Sequence, residues 1–192
     1  MEKGSVLLGL SGGVDSSVAA LLLKKQGYEV EALFMRNWED DDGSPYCSIK
    51  EDFMDAVFVS NQLDIKLTEK NFSKDYRNKV FKYFLKELNE GRTPNPDILC
   101  NKEIKFNSFY EYAMNRGFDF ISTGHYVRNT HEKGKVYLKK GSDYLKDQSY
   151  FLHSISNESI SKSLFPLGII TKKEVRDIAR KEKLITSNKK DS

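Results

Sequence analysis

The sequence has few of the residues on which disulfide-rich or membrane-spanning proteins depend. It contains only two cysteines and four prolines among 192 residues. The two cysteines, Cys47 and Cys100, form no CxxC pair, which excludes a disulfide framework, a zinc ribbon and a thioredoxin-like motif. No apolar run approaches the roughly 20 residues of a membrane helix, and the apolar stretch in residues 1–10 is too short for a signal peptide. We therefore expect a cytoplasmic, reducing location away from membranes, where a cysteine is free to react.

What is present is the composition of a globular protein, with 39% hydrophobic and 31% charged residues. The charge is uneven along the chain. Residues 1–99 have 13 basic and 17 acidic side chains, a balance of −4, whereas residues 100–192 have 18 and 11, a balance of +7. A basic second half is compatible with a polyanionic partner such as RNA, although lysine-rich solvated surfaces are also common.

Strand and helix patterns alternate along the first two thirds of the chain. Apolar runs predict strands at residues 6–10, 29–35, 64–67 and 118–123. Helical spacing of apolar residues predicts helices at 17–26, 49–63, 73–88 and 102–116. Such alternation predicts an α/β fold, with an open parallel sheet and helices on both faces.

The pattern changes after residue 126. A small hairpin is predicted around Gly134, followed by helices at 147–153, 158–164 and 171–183. We therefore divide the chain into a domain at 1–126 and a hairpin and mainly helical extension at 127–192. Because the last residues provide no capping glycine and no closing element, we expect the sequence to be interrupted rather than finished, as in a fragment of a longer protein.

A glycine-rich loop, Ser-Gly-Gly-Val-Asp-Ser-Ser at residues 11–17, lies between the first strand and the first helix. Gly12 and Gly13 allow close backbone approach to an anion, and the helix N-terminus directs N–H groups and positive dipole toward it. The alternative is a tight turn with Asp15 or Ser16 as helix cap. No Gly-Lys-Ser/Thr follows, so the loop is not a Walker A motif.

Further motifs narrow the choice of family. They are GRTPNPDILCNKEIKF at residues 91–106, STGHY at 122–126, KDQSYFL at 146–152, LFPLG at 164–168 and KKDS at 189–192. With the glycine-rich loop, in this order and spacing, the chain closely resembles the bacterial and mitochondrial tRNA-specific 2-thiouridylase family. This family belongs to the N-type ATP pyrophosphatases, whose glycine-rich loop is called a PP-loop and whose fold is Rossmann-like, of the adenine nucleotide alpha hydrolase type.

The resemblance implies a tRNA-uridine 2-sulfurtransferase. ATP would adenylate the C2 oxygen of the wobble uridine of a tRNA anticodon, and persulfide sulfur would then displace AMP. An upstream sulfur-relay protein would supply the sulfur. The family's second catalytic cysteine lies beyond the KKDS string and therefore outside this chain, as do the family's later β-rich domains.

The resemblance also implies which residues bind ATP, at the carboxyl ends of the strands. They are Gly9, Leu10, Ser11, Gly12, Gly13, Val14, Asp15, Ser16, Met35 and Gly124. Asp15 is a candidate to help hold Mg²⁺ at the phosphates, and no other metal site is predicted. Met35 would contact the adenine, the alternative being an ordinary core methionine.

Cys100 is implied to be catalytic, resolving the sulfur transfer by disulfide formation with the second cysteine. We expect its thiol pKa to be lowered by a helix N-terminus and by Lys102 and Lys105. Composition alone favours the alternative, a buried structural cysteine. Cys47 follows an acidic loop and is expected to be inert. Asp97 would assist proton transfer at the flipped uridine.

Seven residues are implied to contact tRNA: Asn95, Pro96, Asp97, His125, Lys146, Asp147 and Gln148. The alternatives are a proline-rich turn in which Asp97 caps the next helix, and a charged helix start capped by Asp147. Two rival functions stay open at this point: another PP-loop ligase acting on a small carboxylic acid or nucleotide, and a nucleotide-binding or RNA-binding module without turnover.

Overall fold

The computed structural model describes residues 3–38 and 48–190. The predicted acidic loop at 39–45, the inert thiol of Cys47 and the last two residues of the KKDS string lie outside the described residues. No helix within the described ranges is long and apolar enough to cross a membrane.

A five-stranded parallel sheet forms the centre of the molecule, in the order β3-β2-β1-β4-β7. Its strands are β1 (Ser5–Gly9), β2 (Glu29–Arg36), β3 (Lys66–Asn71), β4 (Phe120–Ser122) and β7 (Ser163–Leu164). A separate antiparallel hairpin consists of β5 (Val127–Glu132) and β6 (Lys135–Lys140).

Helices connect and cover the strands. The α-helices are α1 (Val14–Lys25), α2 (Ser48–Gln62), α3 (Ser73–Tyr76), α4 (Lys82–Asn89), α5 (Pro96–Leu99), α6 (Phe109–Asn115), α7 (Asn157–Ser161) and α8 (Lys172–Lys181). Two π-helical segments, Arg77–Phe81 and Cys100–Ser108, join α3 to α4 and α5 to α6. Short 3₁₀ helices lie at Ser149–Leu152 and Ile185–Asn188.

Alternation along β1 divides the apolar side chains between the two faces of the sheet. Val6 and Leu8 pack in one core with the apolar residues of α1, α2 and α8. Leu7 packs in a second core with the segment Cys100–Ser108 and α6. Both faces are therefore covered by helices, which confirms the predicted α/β fold class.

Several predicted elements are wrong in their bounds. The third strand lies later than predicted, at Lys66–Asn71, and the helix predicted at 102–116 begins at Pro96. The helix predicted at 158–164 ends at Ser161, because residues 163–164 join the sheet as β7. The helix predicted at 147–153 is one 3₁₀ turn. Apolar spacing does not distinguish a two-residue strand or a single turn from a helix.

Residues beyond 126 complete the main sheet and its core. β7 pairs with β4, and α8 packs against α1. Leu167, Val175 and Leu184 are buried in the same core as β1 and α1. The second part contains the predicted hairpin, the short strand β7 and short helices. The division at residue 126 stays a prediction.

Lys189 links the last described residues to α2 by ion pairs. Its ammonium lies 2.6 Å from Asp52 Oδ1 and also contacts Asp55 Oδ2. Burial acts to lower the pKa of Lys189, but the hydrogen bonds to the two carboxylates outweigh it and raise the pKa. Arg176 supports the same segment by donating to the Ser187 carbonyl at 3.0 Å.

The turn before α8 approaches the backbone of β5 closely, and a substitution at Gly168 tests this approach. A Cβ at Gly168 would lie 1.9 Å from the Val127 carbonyl oxygen. We expect Gly168→Ala to lower the free energy of unfolding by about 3 kcal/mol, because backbone must move. Gly13→Ala is the control, since its Cβ would lie 3.5 Å from Ser11 Oγ, and it should cost less than about 1 kcal/mol. Equal denaturation midpoints for the two variants would contradict this close approach.

Candidate active site

The glycine-rich loop passes directly from β1 into the N-terminus of α1. Gly13 is the N-cap residue of α1 and makes no side-chain cap bond, so the first N–H groups of the helix lack a capping side chain. Ser16 and Ser17 donate to the Gly13 carbonyl at 3.1 and 2.8 Å, and Ser16 Oγ also lies 3.1 Å from Ser11 Oγ. The serines thus fix the turn while α1 presents a positive dipole end, which favours an anion.

Three glycines around this turn lie where a side chain would collide with a neighbour. A Cβ at Gly9 would lie 2.8 Å from Met35 Cε, and one at Gly124 would lie 2.9 Å from the Ser16 backbone nitrogen. Gly12 has φ +77° and would place a Cβ 2.1 Å from the Asp52 carbonyl oxygen. Gly12 therefore serves the packing of the loop against α2, whereas Gly13 has room for a side chain.

A cavity of about 160 Å³ lies at this end of the sheet. It is lined by Gly9, Ser11, Asp15, Ser16, Met35, Lys105, Thr123, Gly124, His125 and Gln148. Most residues predicted to bind the nucleotide are thus brought together. Leu10 and Val14 instead bury their side chains in the core beside α1. Small-molecule sites usually enclose about 300–1,000 Å³, so this cavity would enclose part of a nucleotide.

Two residues that the sequence analysis missed hold Asp15. The Lys172 ammonium and the Tyr126 hydroxyl both lie 2.7 Å from Asp15 Oδ1. Lys172 begins α8 and is largely buried, so a cation from the second part of the chain reaches the loop. The sequence contains a capping box, Thr171 with Glu174, that predicts where α8 starts, but nothing local links Lys172 to residue 15.

His125 is buried in the wall of the cavity. Its Nδ1 lies 2.7 Å from Thr123 Oγ1, and its ring packs against Phe106. Burial, and then the positive charge of Lys105, hold the pKa of His125 well below its usual range. The imidazole is therefore neutral at physiological pH and would act as a hydrogen-bonding group rather than as a cation.

Cys100 begins the nine-residue π-helical segment and is half-buried. The prediction of a lowered thiol pKa is wrong. Burial raises the pKa of Cys100, Lys105 opposes that rise, and Asp97 adds to it. The helix starts at Pro96, four residues before Cys100, so the thiol does not lie beside the free N–H groups of the first turn that would stabilise a thiolate.

Lys105 connects the cysteine with the cavity. Its charge acts on the Cys100 thiol, and its side chain lines the cavity together with His125. Lys102 instead lies 3.6 Å from the carboxylate of Glu103. Of the two lysines predicted to lower the thiol pKa, Lys105 is thus the one whose charge acts in that direction.

The Asn-Pro-Asp motif forms the start of the helix that leads to Cys100. Asn95 caps it, with Oδ1 accepting from the Asp97 and Ile98 backbone nitrogens at 3.0 and 3.4 Å. Pro96 occupies the first turn, where its missing N–H costs nothing. The alternative that Asp97 caps the helix is wrong, and the Asp97 carboxylate is exposed.

The Lys-Asp-Gln motif shapes a turn beside the cavity. Asp147 accepts hydrogen bonds from Gly141 and Ser149. Burial acts to raise the pKa of Asp147, but these hydrogen bonds outweigh it and lower the pKa. Gln148 accepts from the Tyr126 backbone nitrogen at 3.1 Å and reaches the cavity wall, whereas Lys146 does not line it.

The tRNA methyl transferase HUP domain family matches residues 4–192. The chain belongs to this family. It is 56% identical over 190 residues to the tRNA-specific 2-thiouridylase MnmA of Legionella pneumophila (strain Lens), covering 99% of this chain and 53% of the relative.

A second relative, the 2-thiouridylase of Ruthia magnifica subsp. Calyptogena magnifica, is 58% identical over 191 residues, 100% of this chain and 53% of the relative. The resemblance to the 2-thiouridylase family is thus confirmed. The chain spans about half the length of these curated relatives.

Solved structures share the fold at low identity. NMN synthetase from Francisella tularensis has a TM-score of 0.59 at 19% identity, covering 100% of this chain and 67% of that one. The U34-tRNA thiolase NcsA from Methanococcus maripaludis has a TM-score of 0.59 at 21% identity, covering 96% and 58%. A 4-thiouridine synthetase in complex with RNA and ATP has a TM-score of 0.57 at 18% identity, covering 97% and 43%. These structures support the Rossmann-like fold.

The raised thiol pKa leads to a prediction. In a Cys47→Ser background, Cys100 should alkylate with iodoacetamide at neutral pH more slowly than free cysteine, since the thiolate is the nucleophile. Lys105→Ala should slow the reaction further, because a stabilising positive charge is removed. Asp97→Asn should accelerate it. The pH dependence of the alkylation rate measures the shifts, and a Cys100 that reacts faster than free cysteine would show that the thiol environment is misassigned.

Proposed function

We propose that this chain is the adenylating part of an ATP-dependent tRNA-uridine 2-sulfurtransferase, acting on the wobble uridine of tRNA anticodons. The observation that carries the proposal is the link through Lys105 between the anion-binding cavity and Cys100. A single site can then bring an activated nucleotide and a sulfur-handling thiol together. The 2-thiouridylase relatives support the same chemistry. We also propose a cytoplasmic location, where a tRNA substrate would be available.

ATP would bind with its phosphates at the glycine-rich loop and the N-terminus of α1. Gly13 leaves space for backbone N–H groups to approach the phosphates, Gly124 packs closely against the backbone of Ser16, and Met35 would form an apolar wall for the adenine. Lys105 and Lys172 supply the positive charge that the loop itself lacks. They would stabilise the charge that develops on pyrophosphate as the uridine C2 oxygen attacks the α-phosphorus.

Magnesium fits this site only as an ion shared with the phosphates. Asp15 is the acidic side chain of the cavity lining, and its Oδ1 already accepts from Tyr126 and Lys172. No group of three potential ligands from His, Cys, Asp and Glu occurs in the described ranges. Mg²⁺ often binds through one or two carboxylates with phosphates and water, and Asp15 would be that carboxylate.

Sulfur transfer would follow adenylation. The terminal sulfur of a persulfide, formed on a second cysteine outside this chain by a sulfur-relay donor protein, attacks C2 and AMP leaves. Cys100, as thiolate, then attacks the carrier sulfur, forming a disulfide and releasing 2-thiouridine. A cellular thiol reductant restores both cysteines. The raised pKa of Cys100 keeps the resting thiol protonated and unreactive before the activated base arrives.

The residues at the rim would receive the flipped uridine and its neighbours. Asp97 is exposed within electrostatic reach of Cys100 and would take a proton from the base. Pro96 would contact the base from the same turn, and Asn95 would use its amide NH₂, since its oxygen caps the helix. His125, Lys146, Asp147 and Gln148 would meet the tRNA from the other side of the cavity.

Exchange of labelled pyrophosphate into ATP tests the function. The proposal expects exchange that depends on tRNA, because the uridine oxygen is the adenylation acceptor. A PP-loop ligase of small carboxylic acids would exchange with its acid and without tRNA. A binding module would show no exchange under any condition, and either result would overturn the proposal.

The space beside Gly13 allows the nucleotide site to be tested separately from folding. Gly13→Val should abolish ATP binding by filling the phosphate position, while the circular dichroism spectrum and melting temperature stay close to wild type. Gly12→Val is the contrast, because its clash is with the Asp52 backbone, and it should destabilise the fold. Calorimetric titration with ATP measures the first effect, and unchanged affinity in a folded Gly13→Val protein would place the phosphates elsewhere.

The role of Cys100 requires the chain extended to the length of its relatives. There, Cys100→Ser should abolish 2-thiouridine formation while sparing ATP–pyrophosphate exchange, because Cys100 acts after activation. Cys47→Ser should have little effect on either reaction. Mass spectrometry of tRNA nucleosides measures the product, and abundant 2-thiouridine from the Cys100→Ser protein would show that another group resolves the sulfur transfer.

A further inference from the structure

A larger cavity, of about 730 Å³, lies outside the site described above. It is formed by the residues that follow β2 and by the helical segments that begin with α3. Among residues 3–38 and 48–190, its lining comprises Asn37, Trp38, Ser73, Lys74, Arg77, Asn78, Phe81 and Lys82. Three of these side chains are cationic, two are aromatic and none is acidic. The size is that of a site for a nucleotide-sized ligand.

The cations of this cavity are available to a ligand. Lys74, Arg77 and Lys82 are exposed, and none of them forms an ion pair with a described residue. The neighbouring Lys79 differs, since it lies 3.9 Å from Asp75 and 3.4 Å from Ser108 Oγ. The three cationic side chains therefore present a positive surface that favours a polyanion.

Trp38 gives the cavity an exposed aromatic ring that is held in place. Its ring centroid lies 5.0 Å from that of Tyr76 and 5.1 Å from that of Phe81. The residue is nevertheless 45% exposed. Single-stranded nucleic acid binds where a fixed and accessible indole lies beside cations that pair with no described residue, because bases stack on the ring while cations hold the phosphates.

The cavity lies close to Cys100, the cysteine proposed to take part in sulfur transfer. The helical segment Arg77–Phe81 packs against α5 and against Cys100–Ser108, and Ser108 Oγ donates to Asp75 at 2.9 Å. Burial, then the charges of Cys100 and Asp97, raise the pKa of Tyr76, which is the residue on which Trp38 packs. A strand of RNA with one base near Cys100 would thus have a neighbouring nucleotide within reach of Trp38.

We propose that this cavity is a subsite for a single-stranded nucleotide of the RNA that flanks the modified uridine, with its base stacked on Trp38 and its phosphates held by Lys74, Arg77 and Lys82. The inference rests on the proposed function, since it takes tRNA as the substrate. An acidic peptide is the other polyanion that the charges would fit. The exposed indole favours the nucleotide.

Trp38 is the only tryptophan in the chain, so its fluorescence reports on this cavity alone. An RNA hairpin with a wobble-position uridine in its loop should quench the emission saturably, because stacking on a base quenches indole fluorescence. Inorganic pyrophosphate, ATP and polyglutamate are the comparison ligands. Equal quenching by polyglutamate or by ATP would overturn the assignment to a single-stranded nucleotide.

Affinity for the same labelled hairpin, measured by fluorescence anisotropy, tests the individual residues. Trp38→Leu should weaken binding about tenfold and Trp38→Phe should retain most of it, since stacking needs a ring. Arg77→Gln combined with Lys82→Gln should weaken binding about tenfold at low salt. It should also reduce the slope of log affinity against log salt by about 1.4, because two phosphate contacts are lost. Lys181→Gln, on the far end of α8, is the control and should change neither quantity.

The outcomes separate the subsite from the function. Hairpin binding with unchanged Trp38 emission and with wild-type affinity in the variants would overturn the subsite and leave the proposed function intact. No binding of the hairpin to the wild-type chain at any salt concentration would overturn both. Quenching together with the loss in the Trp38→Leu protein and rescue by Trp38→Phe would establish the subsite.

Discussion

The site depends on a lack of space around the turn from β1 into α1. Gly9 faces Met35, Gly12 faces the Asp52 carbonyl and Gly124 faces the backbone of Ser16. Each contact involves a different element, namely β2, α2 and the segment after β4, so three elements pack closely against the turn. Because β1 lies between β2 and β4 in the sheet, the strand order places Met35 and Gly124 beside the loop.

The charge of the site is supplied from a distance. A Walker A loop has its lysine within the loop, whereas residues 11–17 contain no cation. Here Lys105 comes from the π-helical segment on one face of the sheet and Lys172 from α8 on the other. The positive charge near the glycine-rich loop and near Cys100 therefore comes together only when the helices on both faces have packed against the sheet.

The parts of the site that are local in sequence could be predicted, and the parts made by packing could not. The strand, the glycine turn and the start of α1 are contiguous, so spacing and glycine chemistry suffice to predict them. Lys172 lies 157 positions from Asp15, and no periodicity connects the two. The direction of the Cys100 pKa shift was missed because burial, a tertiary property, outweighs the nearby lysine. The strand β7 has two residues, too few for any pattern.

The π-helical form of Cys100–Ser108 decides which side chains share a face with the cysteine. In an α-helix, residues five apart are rotated by about 140° around the axis, and Lys105 would point away from Cys100. A π-helix closes i→i+5 hydrogen bonds, so positions 100 and 105 lie roughly one above the other. Each π-helical hydrogen bond spans one residue more than an α-helical one, so the segment resembles an α-helix with one inserted residue. Deleting one residue between positions 100 and 105 would let the segment relax to an α-helix in which the thiol and its cation, now four residues apart, still share a face.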